Sequence, residues 1–196
     1  MKRWMLVLVL LSFSSSAWGI TGLGLGIHGG MIQDYTNGNL NSIPAQSGDW
    51  LEKMPIIGAH LKIGTLPIID AEVSVDYAWK KKEIVLDKDI KADFSIHDVS
   101  FNGTIKYMFS FPVLKPYIGV GVGLHRLVYG ISNHAYSIYI PADQNQLGWH
   151  GVGGVVISFP VFPVDLFVEA RYTNIPTTGK STHYTTILGG VTFNLP

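Results

Sequence analysis

Residues 69–80 read IDAEVSVDYAWK. Ile69, Ala71, Val73, Val75, Tyr77 and Trp79 take the odd positions, and Asp70, Glu72, Ser74, Asp76, Ala78 and Lys80 the even ones. A strand turns successive side chains to opposite faces, so this stretch has one apolar face and one mostly charged face. A helix would scatter both sets around its surface. A half-buried strand of a soluble protein alternates in the same way. The choice of fold therefore rests on how often the pattern returns and on what precedes it.

The pattern returns along the chain. Residues 95–110 set Val99, Phe101, Gly103, Ile105, Tyr107 and Phe109 against Asp98, Ser100, Asn102, Thr104, Lys106 and Ser110. Residues 164–174 set Val164, Leu166, Val168, Ala170 and Tyr172 against Asp165, Phe167, Glu169, Arg171 and Thr173. Residues 20–31, 55–64, 117–130 and 182–193 read as strands by the same test, three of them with glycine and histidine on the less apolar face. Residues 148–159 are a Gly/Val strand without a clear facing. About eight strands result, joined alternately by longer segments (32–52, 81–94, 131–147 and one around Pro176 and Gly179) and by short Gly/Pro turns. Long loops on one side and tight turns on the other are the rhythm of an up-and-down membrane barrel.

Composition narrows the class. The chain has 196 residues, one domain's worth. Fourteen basic residues balance fourteen acidic ones, which leaves no electrostatic case for nucleic acid. Hydrophobic residues make up 47% and charged residues only 14%, yet no run after the N-terminus approaches the about 20 apolar residues of a membrane helix. Cysteine is absent, which excludes disulfides and thiolate metal sites. At the start, Lys2 and Arg3 precede a short apolar core at 5–11 and a small, polar stretch at 12–19. This is the layout of a signal peptide, so residues 1–19 are expected to be removed and 20–196 to form the exported domain.

An eight-stranded barrel is either soluble, with an apolar interior, or membrane-embedded, with its apolar side chains turned to lipid. Here the polar faces carry His60, Lys62, Asp70, Glu72, Asp76, Asp98, Lys106, Glu169 and Arg171, while the apolar faces carry no charge across a full span. Aromatics cluster at strand ends: Trp79, Tyr107, Phe109, Tyr129, Trp149, Phe159, Tyr172 and Phe193. These match interfacial girdles and favour the membrane form, an all-β, eight-stranded antiparallel transmembrane barrel.

With those residues in view, the chain resembles the OmpA/OmpX-type family of small outer-membrane β-barrels. The resemblance is carried by residues 115–124 (KPYIGVGVGL), 169–172 (EARY) and a last strand ending GVTF at Phe193. It implies a barrel in a Gram-negative outer membrane, with outer-membrane lipid and the barrel-assembly machinery as partners. It implies no cofactor. The family often ends on an aromatic residue, whereas here Phe193 is followed by Asn194, Leu195 and Pro196. No periplasmic domain is expected beyond the barrel.

Folding the hairpin at Gly64 to Pro67 is expected to oppose Lys62 with Asp70 and His60 with Glu72. Lys106 should reach the same depth, and Arg171 should meet Glu72 or Asp76 across the lumen. These groups would form a charge-paired filling, since a narrow interior must satisfy its polar groups. Seven histidines lack the close spacing of a metal site. His134, Ser137 and His183 are the groups to weigh for lipid chemistry, and no spacing holds them together as nucleophile and base. Tyr35, Trp50, His134, Tyr136 and Tyr139, in the segments 32–52 and 131–147, suit contact with an extracellular ligand. The expected role is structural or surface-interacting. A narrow channel for small or hydrophobic solutes stands second, and a lipid-modifying enzyme third.

Overall fold

The computed structural model describes residues 22–37, 53–66, 68–85, 91–109, 111–131, 143–159, 162–176 and 181–195. The N-terminal segment read as a signal peptide lies outside them. The described residues form β1 (Leu23–Asn37), β2 (Lys53–Leu66), β3 (Ile69–Val85), β4 (Lys91–Met108), β5 (Leu114–Ile131), β6 (Gln144–Ser158), β7 (Val164–Ile175) and β8 (Thr182–Leu195). Each strand pairs antiparallel with the next, and β1 pairs with β8 from Leu23↔Leu195 to Asn37↔Thr182, so the sheet closes on itself. The barrel is eight-stranded, all-antiparallel and up-and-down. Closure leaves no open sheet edge.

Strands of 12 to 18 residues exceed the about 10 that a tilted strand needs to cross a bilayer. The excess lies at the long-connection end. β3 and β4 keep pairing from Trp79↔His97 up to Val85↔Lys91, through most of the stretch expected to be a charged loop at 81–94. β1 likewise runs to Asn37, inside the expected loop 32–52, and β6 begins at Gln144, inside 131–147. Polar composition reads as loop only when both faces of a strand would be buried. A strand in water can be polar on its outer face and still complete its ladder. The short-turn end is stitched by backbone bonds between neighbouring hairpins: Gly64 N–H to Gly22 O, Met108 N–H to Ile68 O, Ser158 N–H to Val113 O and Asn194 N–H to Pro163 O.

One irregularity changes a facing. The β1–β8 register shifts between Gln33 and Thr36, and Asp34 in that gap has φ 53°. Aspartate tolerates the left-handed region better than most residues. The bulge inserts an extra residue, so Tyr35 turns inward and stacks on Tyr184 with ring centroids 5.5 Å apart. Tyr35 is thus a buried interior group, not the exposed loop aromatic expected from the sequence.

The exterior is apolar around the whole belt. Leu25 and Ile27 on β1, Ile57 on β2, Val75 on β3, Phe101 and Ile105 on β4, Ile118, Val120, Val122 and Leu124 on β5, Leu147 on β6, Val168 on β7 and Ile187 on β8 are all exposed. A soluble monomer does not leave such a continuous apolar surface to water, whereas lipid accepts it. β6, whose facing the sequence leaves open, sends Leu147 and Trp149 outward and His150 and Val152 inward.

Candidate functional site

The interior is where this chain gathers charge, and period-two alternation is what gathers it. Inward positions of β2, β3, β4 and β7 bring acidic and basic side chains from four strands into one narrow lumen. At the short-turn end Lys62 Nζ donates to Asp165 Oδ2 at 3.1 Å, and Asn194 Nδ2 donates to the same oxygen at 2.9 Å. Further in, Lys106 Nζ lies 2.8 Å from both Glu72 Oε2 and Glu169 Oε2. Tyr117 O–H donates to Glu169 Oε2 at 2.8 Å, and Arg171 holds Glu169 Oε1 through Nε (3.1 Å) and Nη2 (2.9 Å). Arg171 Nη1 then reaches Asp76 Oδ2 at 3.1 Å. Asp76 also accepts from Asn102 Nδ2 at 2.8 Å, Ser74 Oγ at 3.2 Å and His28 Nε2 at 2.5 Å. Glu72, Asp76, Lys106, Glu169 and Arg171 are all buried, so each charge depends on these partners for the solvation it has lost.

Two smaller groups flank the network. His28 Nδ1 and His60 Nδ1 are 3.1 Å apart, and His60 Nε2 lies 2.8 Å from Thr192 Oγ1. The Phe167 ring packs edge-on against both imidazoles. Toward the long-connection end, Asp98 Oδ2 meets His125 Nδ1 and the Tyr184 hydroxyl, each at 3.2 Å. A small cavity between these groups is lined by Asp76, Ser100, Asn102, His125, Arg171 and Tyr184 among others.

The expected hairpin register is off by two residues. Lys62 pairs with Glu72, His60 with Ser74, and Gly64 with Asp70, because the hairpin is centred one residue later than expected; a one-residue register shift between Gly64 and Leu66 lies at the turn itself. His60 therefore does not meet Glu72; it bonds His28 and Thr192. Lys62 goes to Asp165 rather than Asp70, which is opposite Lys106 in register and only half-buried. Arg171 meets Asp76, and Lys106 meets Glu72 and Glu169. His28, Tyr117, Asp165 and Thr192 have no role in the expectations drawn from the sequence. Their inward parity is visible there, but nothing local in the sequence reports a contact between β1 and β3 or between β5 and β7.

Glycine makes room for this packing. A Cβ on Gly58 would overlap Asp76 Oδ1 and His28 Nε2. Gly58→Val is therefore expected to cost about 1–3 kcal/mol of stability through overpacking. Urea unfolding of the barrel in liposomes, followed by tryptophan fluorescence, would read the loss. An unchanged midpoint would mean that the His28–Asp76 contact yields without cost.

The polarity of the barrel inverts toward its long-connection end. There the inward side chains include Ile32, Tyr35, Met54, Ile56, Ala78, Phe94, Ile96, Leu127, Tyr129, Ile175 and Tyr184, which with Leu188 form one buried cluster, with Asp98 and Thr182 as buried polar members of the same level. Every strand except β6 contributes to it. The outward positions at that level include Gln33, Lys53, Lys81, Arg126 and Asn145, all exposed. Lys81 pairs with Asp93 at 2.9 Å on the outer surface. Apolar inside and polar outside is the arrangement of a barrel standing in water, so the outer third is built like a soluble protein and the belt below it like a membrane protein. A second, smaller apolar cluster of Met108, Tyr117 and Val152 lies toward the other end, on β4, β5 and β6.

Aromatics mark the change. At the upper edge Tyr77 stacks on Trp79 at 5.4 Å and hydrogen-bonds through its hydroxyl with His97 Nδ1 at 2.8 Å, while Trp149 lies 5.8 Å from Tyr172. At the lower edge Tyr107 and Phe109 meet edge-on at 5.1 Å, with Phe159 and Phe193 exposed at the same end. Tyr129, expected among these, sits on the inward side of β5 inside the apolar cluster. His183 faces outward near Tyr172, at 6.5 Å. Trp50, His134, Tyr136, Ser137 and Tyr139 lie outside the described residues.

This architecture has solved counterparts. The surface protein NspA of Neisseria matches over 88% of this chain and 96% of its own, at 16% identity and TM-score 0.54. Ail, the attachment invasion locus protein of Yersinia pestis, solved with the heparin analogue sucrose octasulfate, matches over 89% and 97%, at 8% identity and TM-score 0.51. The fold is that of the small eight-stranded outer-membrane β-barrels. No protein-family model and no curated protein sequence matches the chain.

Proposed function

We propose that this protein is an integral outer-membrane barrel with a closed lumen, acting through its outer surface or as a structural element of the membrane and not as a pore. The observation that carries this reading is the apolar layer across the outer third of the interior. Ile32, Met54, Phe94, Ile96, Leu127 and Ile175 have at most 1% exposure there, directly above the paired charges. Apolar side chains packed across most of this level disfavour the passage of an ion or a sugar, and the ion pairs below it would have to be broken for one to pass. The exposed apolar belt and the likeness in fold to NspA and Ail support the outer membrane as its place. Export through residues 1–19 and insertion by the barrel-assembly machinery belong to the same proposal. An extracellular ligand would be met by the segments 32–52 and 131–147, whose aromatic and small polar residues suit such contact.

Solute uptake tests the reading. Purified protein refolded into liposomes is expected to show no swelling in small sugars or amino acids and no conductance steps in a planar bilayer, while migrating as a heat-modifiable band and fractionating with the outer membrane. Uptake comparable to that of a general porin would replace the proposal with the narrow-channel reading.

A further inference from the structure

We propose that the His28–His60 pair is a single-proton binding site, and that the proton it holds is the third cation of the lumen network. His28 Nε2 faces Asp76 Oδ1 at 2.5 Å, and a carboxylate only accepts, so Nε2 carries a hydrogen. The two Nδ1 atoms are 3.1 Å apart, a hydrogen-bond distance that requires one hydrogen between them and excludes two. If His60 supplies it, both rings are neutral, and His60 Nε2 accepts from the Thr192 hydroxyl 2.8 Å away. If His28 supplies it, His28 is an imidazolium, and His60 accepts at Nδ1 and donates from Nε2 to Thr192 Oγ1. The Thr192 hydroxyl serves either direction by rotating. The pair therefore takes up one proton with every hydrogen bond kept, and a second would place two hydrogens in the same 3.1 Å gap.

The charged groups of the connected network around the pair are Glu72 and Asp76 on β3, Lys106 on β4, and Glu169 and Arg171 on β7, with the Phe167 ring against both imidazoles. Beyond Thr192 the Lys62–Asp165 pair balances itself, and Asp98 on β4 faces His125 toward the long-connection end; neither is bonded to this network. The charged groups of the network are three carboxylates and two cations. All are buried, and a residual negative charge enclosed among apolar clusters is costly. An imidazolium at His28, in contact with Asp76, brings the count to three and three.

Nitrogen-15 spectroscopy of the histidine-labelled barrel in lipid nanodiscs reads the protons directly, with His60→Asn assigning the pair. At pH 7 and at pH 5 the four ring nitrogens of His28 and His60 are expected to comprise three protonated and one bare. Two bare nitrogens at pH 7 would overturn the third-cation role, and none at pH 5 in the folded barrel would overturn the limit of one. Glu72→Gln leaves two carboxylates against two cations without touching either histidine, so two bare nitrogens are expected at pH 7. If it fails to give a heat-modifiable band, Glu169→Gln makes the same change in count. A single bare nitrogen persisting in the folded variant would refute the charge-balance argument.

Discussion

Arg171→Leu is expected to destabilise the barrel by about 3–5 kcal/mol, the usual result of removing one partner from a buried charge network. Arg171 makes three bonds to two carboxylates on different strands, Glu169 beside it and Asp76 across the lumen. Without it, Glu72, Asp76 and Glu169 face Lys106 and at most one proton on the histidine pair. Nothing among these groups can supply the missing charge. Removal of a carboxylate differs in kind. In Glu169→Gln the histidine pair releases its proton, the count returns to balance, and the cost reduces to weakened hydrogen bonds of about 1–3 kcal/mol. Urea titrations of both variants in liposomes measure the two costs side by side. Equal losses would mean that the histidine pair does not compensate and that the network responds to lost contacts alone.

Which residues face inward is legible from the amino-acid order alone, because burial on one side only makes a period of two strict. Parity by itself places Glu72, Asp76, Lys106, Glu169 and Arg171 on the inner face, where all five are buried. Which inward residues touch is less legible, since it depends on register, and register depends on turns. The β2–β3 hairpin is centred one residue later than expected, which moves every β2–β3 partner by two, so Lys62 and His60 acquire other neighbours than expected. The bulge at Asp34 reverses the facing of Tyr35, and no residue type there announces it. The outer third reads as loop for a different reason. In the segments 81–85 and 91–94 the ladder continues through a polar stretch, and sequence shows the polar composition more readily than the ladder. Tyr129 falls among the expected girdle residues because it is an aromatic at a strand end. Its parity, which is that of Tyr117 and His125, points inward and decides the matter.

The inverted polarity makes the membrane boundary measurable by substitution. Val120→Arg should cost about 2–4 kcal/mol, because a cation near the middle of the lipid face must snorkel or thin the bilayer. Val120 is 69% exposed, lies opposite Ile105, and sits mid-way along a row of outward apolar residues that runs from Ile118 to Leu124. Thr36→Arg places the same side chain outward on β1, beyond the Asp34 bulge and level with His183 on β8. If the barrel stands clear of lipid there, the cost falls to about 0–1 kcal/mol, as for the interfacial positions of such barrels. The difference between the two is the informative quantity, since both variants add one guanidinium to an exposed strand position. Refolding and unfolding in bilayers of defined thickness, read by tryptophan fluorescence, gives both values. A Val120→Arg variant as stable as the parent would mean that the apolar belt is not lipid-facing. A Thr36→Arg variant as damaged as Val120→Arg would place the boundary above Tyr77 and Trp149, and the outer third would then lie inside the membrane with its charges turned toward lipid. Lys81 and Arg126 already occupy outward positions at that level, one of them paired with Asp93 across the β3–β4 ladder. Holding those side chains in hydrocarbon would carry the same depth-dependent cost as Val120→Arg, which is why the smaller loss is expected for Thr36.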